Sequence, residues 1–520
     1  MGKTDKKLEF LSVILGIYVL FIGIGVPLIV KNRYFDILVV KYYFYSLSTI
    51  LMFLLVLVCS AITGKERVVT YFKKFSIKDF LKNMSIADYS VIIFILVAII
   101  STFTSEYFYE SFWGNEGRFT GLFLLSLYVI SYFCVSRFWI YKSYYINLIM
   151  LTGILVCLFG ISDYFRLDIF GFKAPMAPQQ KDIFTSTIGN INTYTAYVGI
   201  IVAITTVLFA TSKKNKNMVF YYICMVISFF AIIMGVSDNA YLSLAVLFAF
   251  LPIYLFEKKN GVLRYLIVLA TFFSVIQCIE WINVLFMDRV LGIDSVFNLV
   301  IGFGGLHFLV IGLWVLAITL YILNNKTKLG QMEYGKVLRY IWLGIMCVIL
   351  LAVVYAFYDC NTSGDVNKYG KLSTYFLFDD EWGTHRGYIW RNVMECYNKF
   401  SPWKKFFGYG PETCGILLLQ KTVGNKYDEL FDNAHNEYLQ ILITMGLAGL
   451  TSYIVFILAL IKRCFSFKKN DPYIIAIAFG IICYSVQAFV NLNVPIVTPV
   501  FWLILALSAA KSIDKNSTMK

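Results

Sequence analysis

The sequence predicts an all-α, polytopic membrane protein, and three observations carry that prediction. Of 520 residues, 59% are hydrophobic and 15% charged, against roughly 25% charged in soluble domains. Apolar runs of about 20 residues, the length that crosses a bilayer as a helix, recur along the whole chain. Lys and Arg gather in alternate connections between those runs, as the positive-inside bias demands.

The first run, Phe10 to Val30, follows Lys3, Lys6 and Lys7. It is too long for a signal-peptide core and has no small-residue cleavage site, so it reads as a retained span. Further runs lie near 38–63, 88–104, 119–139, 144–165, 191–211, 217–236, 239–256, 263–281, 298–324, 339–358, 436–461, 472–490 and 495–511. With the first, near 10–31, about fourteen spans are predicted. Placing the N-terminus in the cytoplasm puts most of the 45 Lys and Arg there, in "GKERVVTYFKKFSIKDFLKN", "SRFWIYKSY", "TSKKNKN", "FEKKNG", "NNKTKLGQMEYGK" and "KRCFSFKKND". Both termini are then cytoplasmic. The net charge of +14 is a topology signal and calls for no nucleic acid.

Residues 64–87, basic with apolar positions interleaved, suit an amphipathic helix on the inner leaflet or an ordinary loop. Residues 1–358 form the predicted N-terminal bundle of about eleven spans, 359–435 a large outer loop, and 436–520 about three closing spans. So long a loop should carry short helices and function. In it, "HRGYIWRNVMECYNKF" spaces Ile389, Val393, Tyr397 and Phe400 on one helical face. "SPWKKFFGYGPET" then breaks the helix, and Asp432 or Asn433 caps the next span, which puts His435 in its first turn. The eleven cysteines form no CxxC pair; Cys360, Cys396 and Cys414 fall in the loop and imply no disulfide framework.

"HRGYIWRNVMECYNKFSPWKKFFGYGPET" (385–413) with "DNAHNEYLQILITMGLAGL" (432–450) closely resembles the O-antigen ligase family of bacterial lipid-linked glycan ligases, O-oligosaccharyltransferases and polysaccharide polymerases. "GNEGRFTGLF" (114–123) resembles the family's early outer-loop arginine, "TIGNINTYTAY" (187–197) its helix entrance, and "QAFVNLNVPIVTPVFWLILAL" (487–507) its closing spans. One departure is "GVSDNAYLSL" (235–244), where Asp238 stands in place of a frequent arginine.

The resemblance implies a GT-C-like architecture in the bacterial plasma membrane. It also implies a metal-independent, inverting glycosyltransferase with no cofactor. The donor would be a glycan on undecaprenyl diphosphate, and the acceptor a hydroxyl on a glycan, lipid or protein at the outer face. Breaking the bond from sugar C1 to diphosphate builds negative charge on the leaving group, which fixed guanidinium groups stabilise. Arg118 and Arg386 are the catalytic clamp candidates, with Arg391 in reserve.

His435, near a positive helix end that favours the neutral imidazole, is the candidate general base. Asn433, Asn436 and Glu437 are candidates to orient it, and Tyr438 lies on a neighbouring face. Asn190 and Asn192 either bind sugar or cap a helix. His385 would support Arg386, and His307, mid-span, would bond a neighbouring helix. "FDDEW" (378–382) reads as a surface acidic cluster rather than a metal site. Abundant Lys, Ile, Asn, Phe and Tyr suggest an AT-rich genome and favour a capsule or exopolysaccharide polymerase over a ligase. A lipid-glycan flippase or transporter is the rival from another class. Concentration of polar residues in one outer loop, rather than at midplane sites, argues against it.

Overall fold

The computed structural model describes residues 3–62, 84–115, 117–258, 260–293, 297–326, 333–363, 368–466 and 471–510. Among these, eleven helices are long and apolar enough to cross a membrane. Three more apolar helices, Leu122–Phe138, Ala240–Leu255 and Thr498–Ser508, are shorter. Each of the fourteen predicted runs coincides with one of these helices, but only eleven reach spanning length. Most of the basic 64–87 stretch lies outside the described residues. Its end does not: Ser85 caps Ile86–Phe103 in a reciprocal box with Asp88, each side chain accepting the other's backbone N–H.

Ile191–Thr211 is the axis of the bundle. It is apolar all round, and every residue from Thr193 to Ala210 is buried against Pro472–Gln487, Asn215–Met234, Ala240–Leu255 and Tyr144–Tyr164. Tyr334–Thr362 is at least as apolar, yet its most hydrophobic 18-residue stretch has nothing buried inside the protein. The predicted run at 298–324 is divided: Phe297–Ile301 ends at glycines 302, 304 and 305, and Leu306–Lys326 begins afresh. His307 is therefore exposed at the start of a helix against Phe308, not mid-span as predicted. All eleven cysteines are free thiols.

Two devices hold the long 359–435 segment. Ile389, Val393, Cys414, Leu418, Phe431 and Ala434 form a small core with Ile443 of Glu437–Phe465, and burying each large aliphatic contributes about 1.5–3 kcal/mol. The helices Trp382–Lys399 and Cys414–Thr422 supply most of it. The second device is a break in Glu437–Phe465 at Gly446, whose φ of 67° and ψ of −172° suit only glycine. The break frees the carbonyls of Ile443 and Thr444. Tyr409 N–H and Gly410 N–H donate to them at 3.1 and 2.9 Å, and Ser101 Oγ donates to Thr444 O at 2.8 Å. The Gly408-Tyr409-Gly410 turn thus replaces the lost helical bonds, as any broken helix at membrane depth requires. Gly408 (φ 85°) lies so close to the Thr444 backbone that a Cβ would collide with it.

Candidate active site

His435 is the point to which the 359–435 segment and the Arg118 turn converge. The helix after it begins at Glu437, and its cap is Asn436, whose Oδ1 accepts from Tyr438 N and Leu439 N at 3.0 Å each. This corrects the expectation of a cap at Asp432 or Asn433: Asn436 can reach two orphan donors at once. His435 accordingly sits just before the cap, not in the first turn, with a left-handed φ of 47°. Asn433 Oδ1 accepts its N–H at 2.8 Å and stabilises that bend.

Trp382–Lys399 brings Arg386 to the same place. Gly383, Thr384 and His385 have φ near 60° in three successive residues, so the regular helix starts only at Arg386. That kink lets Arg386 Nη1 donate back to Gly383 O at 2.6 Å. One turn on, Trp390 Nε1 donates to Ala434 O at 2.9 Å and pins this helix face to the residue beside His435. Arg118 arrives from a turn between Phe108–Trp113 and Leu122–Phe138. Its Nη2 donates to both oxygens of Asp432, at 2.9 and 3.0 Å. The turn is stitched to the glycine-rich segment by Glu412, which accepts from Thr120 N–H at 2.9 Å and from its hydroxyl. Asn115 Nδ2 donates to Glu412 O.

The electrostatics are one-sided. Burial, then the charges of Arg386 and Arg118, pull the His435 pKa down to about 4, with Asp432 opposing. The imidazole is therefore neutral at pH 7, for reasons stronger than a helix dipole. Burial also lowers the pKa of Arg386, while Asp238 opposes. So Asp238 acts on Arg386 with the sign opposite to that of a cation. Burial raises the pKa of Glu412, against the bonds from Thr120. The Nε–H groups of both Arg118 and Arg386 are buried with no acceptor among the described residues. Buried donors are costly when unpaired. A pair of them beside one imidazole fits an anionic ligand.

The other predicted residues divide. Arg391 is half exposed and bound to Asp380, which Lys426 also approaches at 3.1 Å. Glu381 accepts from Tyr427 at 2.8 Å and lies 3.2 Å from His385 Nδ1, so the 378–382 acids face local cations and a tyrosine. Asn190 Oδ1 caps Ile191–Thr211. Asn192 accepts from Ser237 at 2.7 Å and, through its carbonyl, from Asn491 at 2.9 Å. Tyr438 Oη donates to Ser485 O, and Glu437 turns into the bundle to accept from Tyr453 at 2.6 Å and Asn493 at 3.1 Å. Neither orients His435. Sequence patterns did not single out Asp432 as the partner of Arg118, nor Glu412; an acid three residues before His435 was the available signal.

Residues 295–454 match the family model described as Wzy_C, O-Antigen ligase. Over this segment the chain is similar to the O-antigen ligase family. The match supports an O-antigen ligase- or polymerase-like membrane enzyme with ligase or glycosyltransferase activity. Arg386 and His435 lie within the O-antigen ligase segment; Arg118, Asn190 and Asn192 lie before it. No curated protein matches the chain.

Proposed function

We propose that the chain transfers a glycan from an undecaprenyl-diphosphate carrier to an acceptor hydroxyl at the outer face of a bacterial plasma membrane, with inversion at C1 and without a metal. The observation that carries this reading is the pair of buried, acceptor-less guanidinium Nε–H groups beside a neutral His435. The donor diphosphate takes the place of Asp432 on Arg118 and reaches Arg386. Asp432 is half exposed, so giving up this ion pair costs little. The acceptor oxygen attacks C1 as the C1–O bond to diphosphate breaks; the electron pair leaves with the phosphate, where the two guanidinium groups hold it.

His435 takes the acceptor proton. In the free protein both arginines oppose imidazole protonation, and the incoming diphosphate cancels that opposition. Donor binding therefore raises the pKa of the base toward its working range. The outer segment 359–435 acts as the catalytic unit between the two blocks of spans. Arg391 and Tyr438 play supporting parts.

The test is glycan transfer by the purified chain in proteoliposomes with a lipid-diphosphate donor. His435→Ala and Arg386→Ala should each abolish most turnover. Near-normal rates in both variants end the proposal. Glycan length in a deletion strain separates the two acceptor classes: single units mark a polymerase, and unattached full-length chains mark a ligase.

A further inference from the structure

At the end of Ile191–Thr211 remote from Asn190, two of the basic connections and the start of Pro472–Gln487 converge on one cavity of about 860 Å3. That volume lies within the range of small-molecule sites, roughly 300–1,000 Å3. Lys213, Lys214, Lys258 and Arg264 line it beside Tyr254 and Tyr473, and no carboxylate lines it among the described residues. Of the nearest acids in sequence, Glu257 pairs with Arg339, and Asp471, at the cavity's edge, accepts from Tyr473 N–H at 2.9 Å and from Tyr141 at 3.1 Å. Arg264 stacks 5.4 Å over Phe209 and contacts Met218 Sδ, neither of which neutralises it. Lys258 lies 5.0 Å over Tyr254.

The backbone adds to this charge. Asn215–Met234 and Gly261–Leu285 begin at the cavity with no side-chain cap, so two positive helix ends face it; the start of Pro472–Gln487 is offset by its cap, Asp471. The C-terminal ends of Ile191–Thr211 and Ala240–Leu255 meet it too, and the four side-chain cations outweigh them. Leu208, Ala210 and Leu255 make part of the wall apolar.

We infer that this cavity binds the phosphate of an anionic phospholipid, with the headgroup on the cations and the acyl chains along the apolar wall. Basic pockets between spanning helices recognise lipid phosphates by this chemistry. The ends of spanning helices lie where headgroups do, which favours a lipid over a soluble anion. With the basic connections cytoplasmic, the leaflet is the inner one. The site is separate from the transfer site at the opposite helix ends and stands whether or not that proposal holds.

The experiment is native mass spectrometry of the full chain in detergent. Phosphatidylglycerol is the probe, phosphatidylcholine the neutral control, and inorganic phosphate the competitor. Phosphatidylglycerol adducts should exceed those of phosphatidylcholine. Lys213→Gln with Lys214→Gln, and separately Arg264→Met, should weaken them about fivefold per cation removed. Arg264→Lys should retain most of the binding. The exposed lysine pair decides the matter if Arg264→Met fails to fold. Equal adducts of the two lipids, or adducts unchanged in the lysine variant, overturn the inference. Displacement by inorganic phosphate at equal concentration overturns the lipid as source and makes free phosphate the ligand.

Discussion

The two ends of the helix bundle collect cations in opposite ways. At the His435 end two half-buried guanidinium groups, one bound to a carboxylate, act on a single neutral imidazole. At the other end Lys213 and Lys214 are exposed, Lys258 and Arg264 half-buried, and no histidine or acid lines the cavity. Cations beside a proton acceptor can stabilise a transition state while the proton is removed; a cluster without one can only hold an anion. The difference assigns chemistry to one end and binding to the other.

The sharpest way to break that comparison is to remove one cation from each end. Arg386→Ala should lower kcat for glycan transfer by about 100- to 1,000-fold, as loss of a preorganised donor does. Arg386→Lys should not restore it, because a point charge cannot copy the fork. Lys213→Gln with Lys214→Gln should leave turnover unchanged. Equal losses at both ends would mean that the contrast in neighbouring groups carries no functional weight.

Replacing the base comes next. His435→Gln should cost about 100-fold or more in kcat, and the pH profile of the native protein sharpens the assignment. In the free protein the imidazole is lost as a base only as pH falls toward 4, so kcat/KM should keep its acid limb low. With donor bound, the diphosphate offsets Arg386 and Arg118, and the acid limb of kcat should lie at higher pH. Stability follows the same sign. The folded pKa is below the usual value of about 6.5, so the unfolded chain binds more protons. The His435 contribution is complete above that value and is lost as pH falls through about 4. A kcat limb at or below that of kcat/KM would detach His435 from the donor's charge.

The sequence made much of this legible, because its signals are local. Hydropathy located every apolar helix, and the 385–413 and 432–450 motifs carry both Arg386 and His435. Two things escaped. High hydropathy in both Ile191–Thr211 and Tyr334–Thr362 concealed that one is the axis and the other lies at the rim, since lipid and protein interior are alike apolar. Competition among neighbouring polar groups was also hidden: three residues near 435 could cap the helix, and only geometry shows that Asn436 does so while Glu437 turns away. Asn190 and Asn192 raised the same ambiguity at the axis, and there the cap and the link to Ser237 occupy both side chains.

A smaller effect tests the scaffold beneath the His435 end. Gly446→Ala forces a side chain into a glycine-only conformation and against the Phe406 backbone. It should destabilise the chain by about 1–3 kcal/mol, read as a lower Tm in detergent. The inner cavity, built on other helices, should keep its lipid adducts in the same variant. Loss of both would show that the two ends are held by one cooperative packing unit.

The smallest expected change concerns Asp432. If its carboxylate only occupies Arg118 until a diphosphate arrives, Asp432→Asn removes a competitor. An exposed ion pair is worth at most about 1 kcal/mol, so donor affinity should rise by no more than about fivefold, with kcat nearly constant. Binding of the lipid-diphosphate donor by isothermal calorimetry reads this directly. Should affinity fall instead, Asp432 holds Arg118 in its working geometry, and the outer site would then be prebuilt by an ion pair rather than guarded by one.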